Sequence, residues 1–101
     1  MSEVTVVIPN WNGMRFLPDC LASLEAQTFR DFRVILIDNG STDGSCDYVR
    51  SAFPKVRIRR FHQNTGFCRA VNAGIGLSRS EYVLLLNNDV ICDRDMVRQL
   101  H

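Results

Sequence analysis

The run Leu84-Leu85-Leu86 breaks off into two amides and a carboxylate, Asn87-Asn88-Asp89. A lone carboxylate at such a point can hold a divalent cation, Mg2+ or Mn2+, that in turn holds a diphosphate. Magnesium is usually bound this way, through one or two carboxylates plus phosphate oxygens. Three other stretches have the same chemistry: Pro9-Asn10-Trp11-Asn12, Asp38-Asn39-Gly40-Ser41-Thr42-Asp43, and His62-Gln63 followed by Asn64-Thr65-Gly66. Amides, hydroxyls and few carboxylates suit a sugar- or nucleotide-like ligand rich in hydroxyl and N–H groups. The plainer reading is that Asp38, Asp43, Asn87 and Asn88 are turn and cap residues, a routine use of Asx side chains. On that reading Asp89 starts a helix, Trp11 is a core or lid residue, and His62 closes a strand at the surface.

These stretches need elements to position them. Four β-like runs precede them: Val4–Ile8, Phe32–Ile37, Val56–Phe61 and Glu81–Leu86. The second and fourth are nearly continuous apolar runs, as expected of strands covered on both faces. Between them, Leu17, Cys20, Leu21 and Leu24 recur at helical spacing, with Pro18 in the first turn. Residues 41–53 repeat the pattern with Cys46, Val49 and Phe53, with Asp43 as N-cap and Pro54 as the stop. Residues 66–78 carry Phe67, Val71 and Ile75 on one helical face, and Ala70, Ala73, Gly74 and Gly76 as small residues for close packing. Residues 93–101 read as the start of a fourth helix.

The order β-α-β-α-β-α-β-α predicts an α/β fold, a Rossmann-like parallel β-sheet with helices on both faces. In a parallel sheet all carboxyl ends lie on one edge. The four polar stretches therefore converge there, where open α/β sheets bind ligands.

Composition removes several function classes. With 12 basic and 11 acidic residues the net charge is +1, which carries no electrostatic footprint for nucleic acid. The basic run Val56–Arg60 alternates with apolar residues and reads as a half-exposed strand. Cys20, Cys46, Cys68 and Cys92 are evenly spread without a CxxC pair, against a zinc or redox site. They read as reduced and mostly buried, as in a cytoplasmic protein. No apolar run approaches the ~20 residues of a membrane span, and Val4–Pro9, close behind Glu3, is too short for a signal core. A phosphoacceptor receiver domain needs an acidic pair after the first strand, and a dinucleotide-binding domain needs GxGxxG there. Pro9-Asn10-Trp11-Asn12 supplies neither.

The blocks VTVVIPNWNG, LASLEAQTF, VILIDNGSTDGS, NTGFCRAVNAGI and EYVLLLNNDV resemble the amino-terminal part of a family 2 glycosyltransferase with the GT-A fold. The resemblance runs from Val4 to Val90. Its form is similar to the bacterial branch containing many rhamnosyltransferase-like proteins of cell-envelope polysaccharide biosynthesis. The resemblance implies a metal-dependent, inverting glycosyltransferase using a UDP-, dTDP- or GDP-linked sugar and a glycan or lipid-linked acceptor. It would place Pro9, Asn10 and Trp11 in the nucleoside pocket, with Asn39 beside them and Asp38 accepting from a ring N–H of the base. Gly66, Arg69 and Asn72 would approach the nucleotide. Asn87-Asn88-Asp89 would match the family's DxD motif, with Asp89 as the metal ligand. Asn87 replaces the first aspartate, so the cation would be held weakly until the donor diphosphate supplies charge.

In that family the acceptor site and catalytic base follow the DxD region, past His101. Asp93 and Asp95 fit a helix start better than a general base. The expectation is therefore one unit over residues 1–101, the donor-binding half of an enzyme, with the catalytic base unknown. A non-catalytic nucleotide-sugar-binding module of the same fold is the alternative. Exposed apolar surface, pairing into a homodimer, and a cytoplasmic or membrane-peripheral location are expected too.

Overall fold

A computed structural model describes residues 4–28, 30–92, 94 and 96–100. Asp93 and Asp95 lie outside the described residues. The chain alternates β1 (Val4–Asn10), α1 (Leu17–Glu25), β2 (Phe32–Asn39), α2 (Ser45–Ala52), β3 (Arg57–Phe61), α3 (Phe67–Leu77), β4 (Tyr82–Leu85) and α4 (Met96–Leu100). All pairings are parallel and the strand order is β3-β2-β1-β4. The order reverses direction between β1 and β4, the kind of switch point at which a crevice opens beyond the strand ends.

Side-chain alternation divides the core into two layers. Val6, Ile8, Leu36 and Leu86 face Leu17, Cys20, Leu21 and Leu24 of α1 and Val49 of α2. Val7, Ile35 and Ile37 face the other way, onto Ala70 of α3. The helices thus cover both faces, as expected. The face of α3 differs from the expected one. Ala70 and Gly74 are its buried residues, while Phe67 and Ile75 are about half exposed. A Cβ on Gly74 would lie 2.3 Å from Val7 Cγ1. The helix therefore approaches the sheet through its smallest side chains, and the larger apolar ones are turned outward.

The reading of β4 as covered on both faces is also corrected. Leu84 packs on the α1 layer, but Tyr82, Val83 and Leu85 are exposed. The strand order makes β4 an edge, and α3 packs against β1 and β2, which leaves Val83 and Leu85, on the α3 face of β4, uncovered among the described residues. The basic strand β3 is the opposite edge and half-exposed, as its alternation predicts. Asp43 is not the N-cap of α2. Gly44 holds that position with φ +85°, where a side chain is strained. Asp43, one residue earlier, still accepts from the Ser45 N–H at 3.0 Å. All four cysteines are free thiols; Cys20, Cys46 and Cys92 are buried and Cys68 is exposed. No helix among the described residues is long and apolar enough to cross a membrane.

Candidate nucleotide-sugar site

The carboxyl ends of the strands open onto a cavity of about 330 Å3. Seven of the expected residues line it: Pro9, Asn10, Trp11, Asn39, Asn87, Asn88 and Asp89. The volume falls within the usual range for small-molecule sites. Among the described residues Asp89 is the sole carboxylate in the lining, against five asparagines counting Asn64. Trp11 and Phe67 are each 56% exposed at the cavity wall, flat apolar faces open to a planar ligand.

Asn10 ties the site together. It is the last residue of β1, and only 2% of it is exposed. Its amide nitrogen donates to Asp38 Oδ1 at 2.9 Å and to Ser41 Oγ at 3.2 Å. Its amide oxygen accepts from Asn88 Nδ2 at 2.7 Å. One side chain thus links the ends of β1 and β2 to the Asn87–Asp89 loop. The link depends on Gly13, because a Cβ there would lie 2.1 Å from Asn88 Nδ2 and 2.3 Å from Asn10 Oδ1.

Asp38 stands behind this bridge. It is fully buried and accepts from Asn10 and, through Oδ2, from the Ser41 N–H at 3.0 Å. Arg60 Nε stands 3.9 Å from Oδ2. Burial of the nearby Cys46 thiol, followed by the charge of Asp38, pushes its pKa up to about 11. A buried carboxylate needs such a shell of donors, since an unpaired buried charge is costly. Asp38 is therefore absent from the cavity wall, although one hydrogen bond away from it.

The loops are cross-tied. Asn39 Oδ1 accepts from the Thr65 N–H at 2.7 Å and the Thr65 hydroxyl at 2.9 Å. Its Nδ2 donates to Asn64 Oδ1 at 3.0 Å and to the Gly66 carbonyl at 3.1 Å. Asn39 thereby fixes the segment that delivers Phe67 to the cavity. On the other side, the Asn12 N–H donates to Ser41 Oγ at 2.8 Å, and Asn12 Oδ1 accepts from the Thr42 N–H at 2.7 Å. These bonds hold Asn12 at φ +49°, a region a non-glycine residue seldom occupies. Asp43 Oδ2 accepts from the Met14 N–H at 3.0 Å. Burial works to raise the Asp43 pKa, but hydrogen bonds from Ser45 and Met14 outweigh it and hold the carboxyl below its ordinary value.

Arg69 and Asn72 are exposed on α3 and, like Gly66, are not part of the cavity wall. Asn64, Phe67 and Ala70 line it without having been singled out as site residues. Phe67 had a signal: it directly follows a strand-end polar stretch, which places it on the ligand edge whatever its helical periodicity suggests.

The metal question turns on Asp89. Among the described residues no three His, Cys, Asp or Glu side chains cluster as a metal cage. An exposed carboxylate flanked by the Asn87 and Asn88 amides fits a hard cation completed by phosphate oxygens and water. It does not fit a site filled by protein ligands alone.

A parallel sheet with a strand-order switch and an asparagine-lined crevice at its carboxyl edge defines a ligand-binding type of α/β fold. The sequence profile described as "Glycosyl transferase family 2" matches residues 5–101, and the chain belongs to that family. It is 32% identical to "Glycosyltransferase GlyG" of Streptococcus pneumoniae, over all of this chain and 35% of that protein. It is 35% identical over 88 residues to a "PGL/p-HBAD biosynthesis glycosyltransferase" of Mycobacterium bovis, covering 84% of this chain and 34% of the relative. Among solved structures, S. aureus TarS 1-349 in complex with UDP-GlcNAc superposes with a TM-score of 0.90 at 23% identity. That match covers 99% of this chain and 30% of TarS 1-349. Mannosyltransferase PcManGT of Pyrobaculum calidifontis, in complex with GDP-Man and Mn2+, gives 0.87 at 23% identity, over 94% of this chain and 30% of that one. These likenesses establish the GT-A fold. The chain spans about a third of the length of GlyG and of the M. bovis relative.

Proposed function

We propose that residues 1–101 form the donor-binding unit of a metal-dependent, inverting glycosyltransferase. Its donor is a UDP-, dTDP- or GDP-linked sugar, and its acceptor a glycan or lipid-linked sugar of cell-envelope polysaccharide synthesis. One observation carries the reading: strand-end polar residues from β1, β2 and the loops after β3 and β4 meet in one cavity, with Asp89 as the carboxylate among the described residues. The nucleotide-sugar complexes of the fold neighbours support it.

In this reading Pro9, Asn10, Trp11 and Asn39 form the nucleoside wall. Asp38 accepts from a ring N–H of the base, for which the Asn10–Ser41 shell must open by one donor. Gly66, Arg69 and Asn72 approach the nucleotide, and Asn87 and Asn88 contact it too, Asn87 by a hydrogen bond to the ribose. Asp89 would hold Mg2+ or Mn2+, which when bound neutralises charge on the leaving diphosphate. An inverting transfer also needs a general base for the acceptor hydroxyl, a role assigned to none of the described residues. The exposed Val83 and Leu85 on the edge strand β4 support pairing with a second copy. Sedimentation showing only monomer at micromolar concentration counts against that pairing. The location proposed is cytoplasmic, at or near the inner face of the membrane.

The test is calorimetric titration with UDP, dTDP and GDP, each with and without Mn2+. Binding should strengthen with metal, and Asp89→Ala should abolish that gain. Asp38→Asn, nearly isosteric, should weaken binding and alter the preference among bases. Metal-enhanced binding that survives Asp89→Ala removes the metal assignment. Binding indifferent to Asp38→Asn removes the base contact. Donor hydrolysis by a full-length parent distinguishes an enzyme from a non-catalytic binding module.

A further inference from the structure

At the amino ends of the strands, away from the nucleotide cavity, lies a second cavity of about 330 Å3. Arg33 near the start of β2 and Asn39 at its end are six residues apart, which separates the two edges by roughly 20 Å. The second cavity is lined by four cations, Arg33, Lys55, Arg57 and Arg79, together with the hydroxyl residues Thr5 and Ser80, and, among the described residues, by no carboxylate. Its charge is not the molecular average, since the whole chain carries only +1. Among the described residues, Lys55, Arg57 and Arg79 take no part in an ion pair.

Its shape follows from the fold. Helix α3 ends at Leu77, and the sheet extends beyond it. Thr5 and Arg33 are register partners on β1 and β2, and Arg57 pairs with Ile35 on β3. Thr5, Arg33 and Arg57 thus share the face on which Val7, Ile35 and Ile37 pack under α3. Where the helix stops, this face changes from aliphatic residues to threonine and arginine. Thr5 is only 1% exposed, and its hydroxyl hydrogen-bonds that of Ser80.

We infer that this cavity binds a phosphate-bearing anion at a site separate from the nucleotide-sugar site. Guanidinium groups match phosphate oxygens in pairs, and several such forks around one concavity favour a multivalent anion over a single carboxylate. The anion is either a free phosphate or diphosphate, or the phosphate of a lipid headgroup. Cations near helix carboxyl ends also offset the helix dipole, and α2 and α3 both end at this edge. The experiment separates that role from binding.

The isotopically labelled chain is titrated with inorganic diphosphate, with EDTA present so that no metal recruits the anion to Asp89. It is separately floated with phosphatidylglycerol and with phosphatidylcholine vesicles. The Thr5, Arg33 and Ser80 amide resonances should shift saturably, and affinity should fall with salt. Arg57→Gln combined with Arg79→Gln should weaken diphosphate binding at least about tenfold, while Arg15→Gln, outside the cavity, leaves it unchanged. Flotation with phosphatidylglycerol alone, lost in the double variant, identifies a lipid headgroup. Diphosphate binding without flotation identifies a soluble anion. If neither probe binds, or if the double variant binds as the parent does, the site does not exist. Lower thermal stability of that variant without any anion effect assigns the cations to the helix ends instead and likewise overturns the inference.

Discussion

Gly13→Ala tests the asparagine bridge most directly. The φ of Gly13 lies outside the left-handed region, so alanine costs nothing in backbone conformation there. At such a position the change ordinarily stabilises by about 0.4–1 kcal/mol, by restricting the unfolded chain. Here the new methyl would meet Asn88 Nδ2 at 2.1 Å and Asn10 Oδ1 at 2.3 Å, both too close to tolerate. Asn10 is held on its other side by Asp38 and Ser41 and cannot retreat. Asn88 is half-buried and must swing out, breaking the 2.7 Å bond and leaving the buried Asn10 oxygen unpaired. An unsatisfied buried acceptor costs about 1–3 kcal/mol, so the net sign is destabilising. For a domain of this size each kcal/mol lowers Tm by roughly 4–8 °C. Urea unfolding should show a lower midpoint at unchanged slope, and nucleotide affinity should fall as the Asn87–Asp89 loop is released. An unchanged or raised midpoint would refute the bridge, because only the normal gain of replacing glycine would then be left.

Within α3 two glycines should respond oppositely. Gly76→Ala meets nothing within 4 Å and should stabilise by about 0.5–1 kcal/mol. Gly74→Ala forces a methyl to 2.3 Å from Val7 Cγ1 and should destabilise by about 1–3 kcal/mol; equal midpoints for the two variants would contradict the packing of α3. Burial pushes the Cys20 thiol up to about 12, aided by the nearby Cys92 and Asp89. Its folded pKa thus exceeds the ordinary 9.0, so this contribution to stability is complete below about pH 9 and is lost as pH rises toward 12. Cys20→Ala should flatten the alkaline fall in the urea midpoint. At pH 8 an alkylating reagent should label exposed Cys68 rapidly and Cys20 only on unfolding, and equal labelling rates would be inconsistent with the buried thiol. Asp43, with its pKa depressed, stabilises at neutral pH and loses that contribution as pH falls through its folded value. Asp43→Asn should therefore show a shallower acid transition, read by circular dichroism.

Much of the site was legible because its logic is local. Alternating strand and helix patterns fix a parallel sheet, and a parallel sheet sends every strand-end residue to one edge. Pro9, Asn10, Trp11, Asn39 and Asn87 to Asp89 were placed on that edge by order along the chain alone, as was the α1 face of Leu17, Cys20, Leu21 and Leu24. The small residues of α3 were likewise readable as packing residues, and Ala70 and Gly74 pack as read.

Tertiary structure decided what periodicity leaves ambiguous. Phe67, Val71 and Ile75 share a helical face as surely as Ala70 and Gly74 do, and the pattern cannot say which face meets the sheet. Close approach at Val7 decides it, because the glycine side allows shorter contact. An apolar run such as Leu84–Leu86 does not state whether its strand lies in the centre or at an edge; the β3-β2-β1-β4 order does. Nor does sequence show that Asp38 lies behind Asn10 instead of in the cavity wall, since the bond joining them spans 28 positions. Residue types and their order settled which chemistry meets at which edge, while the depth and partners of each group arose only when distant segments packed and buried polar atoms had to find donors and acceptors.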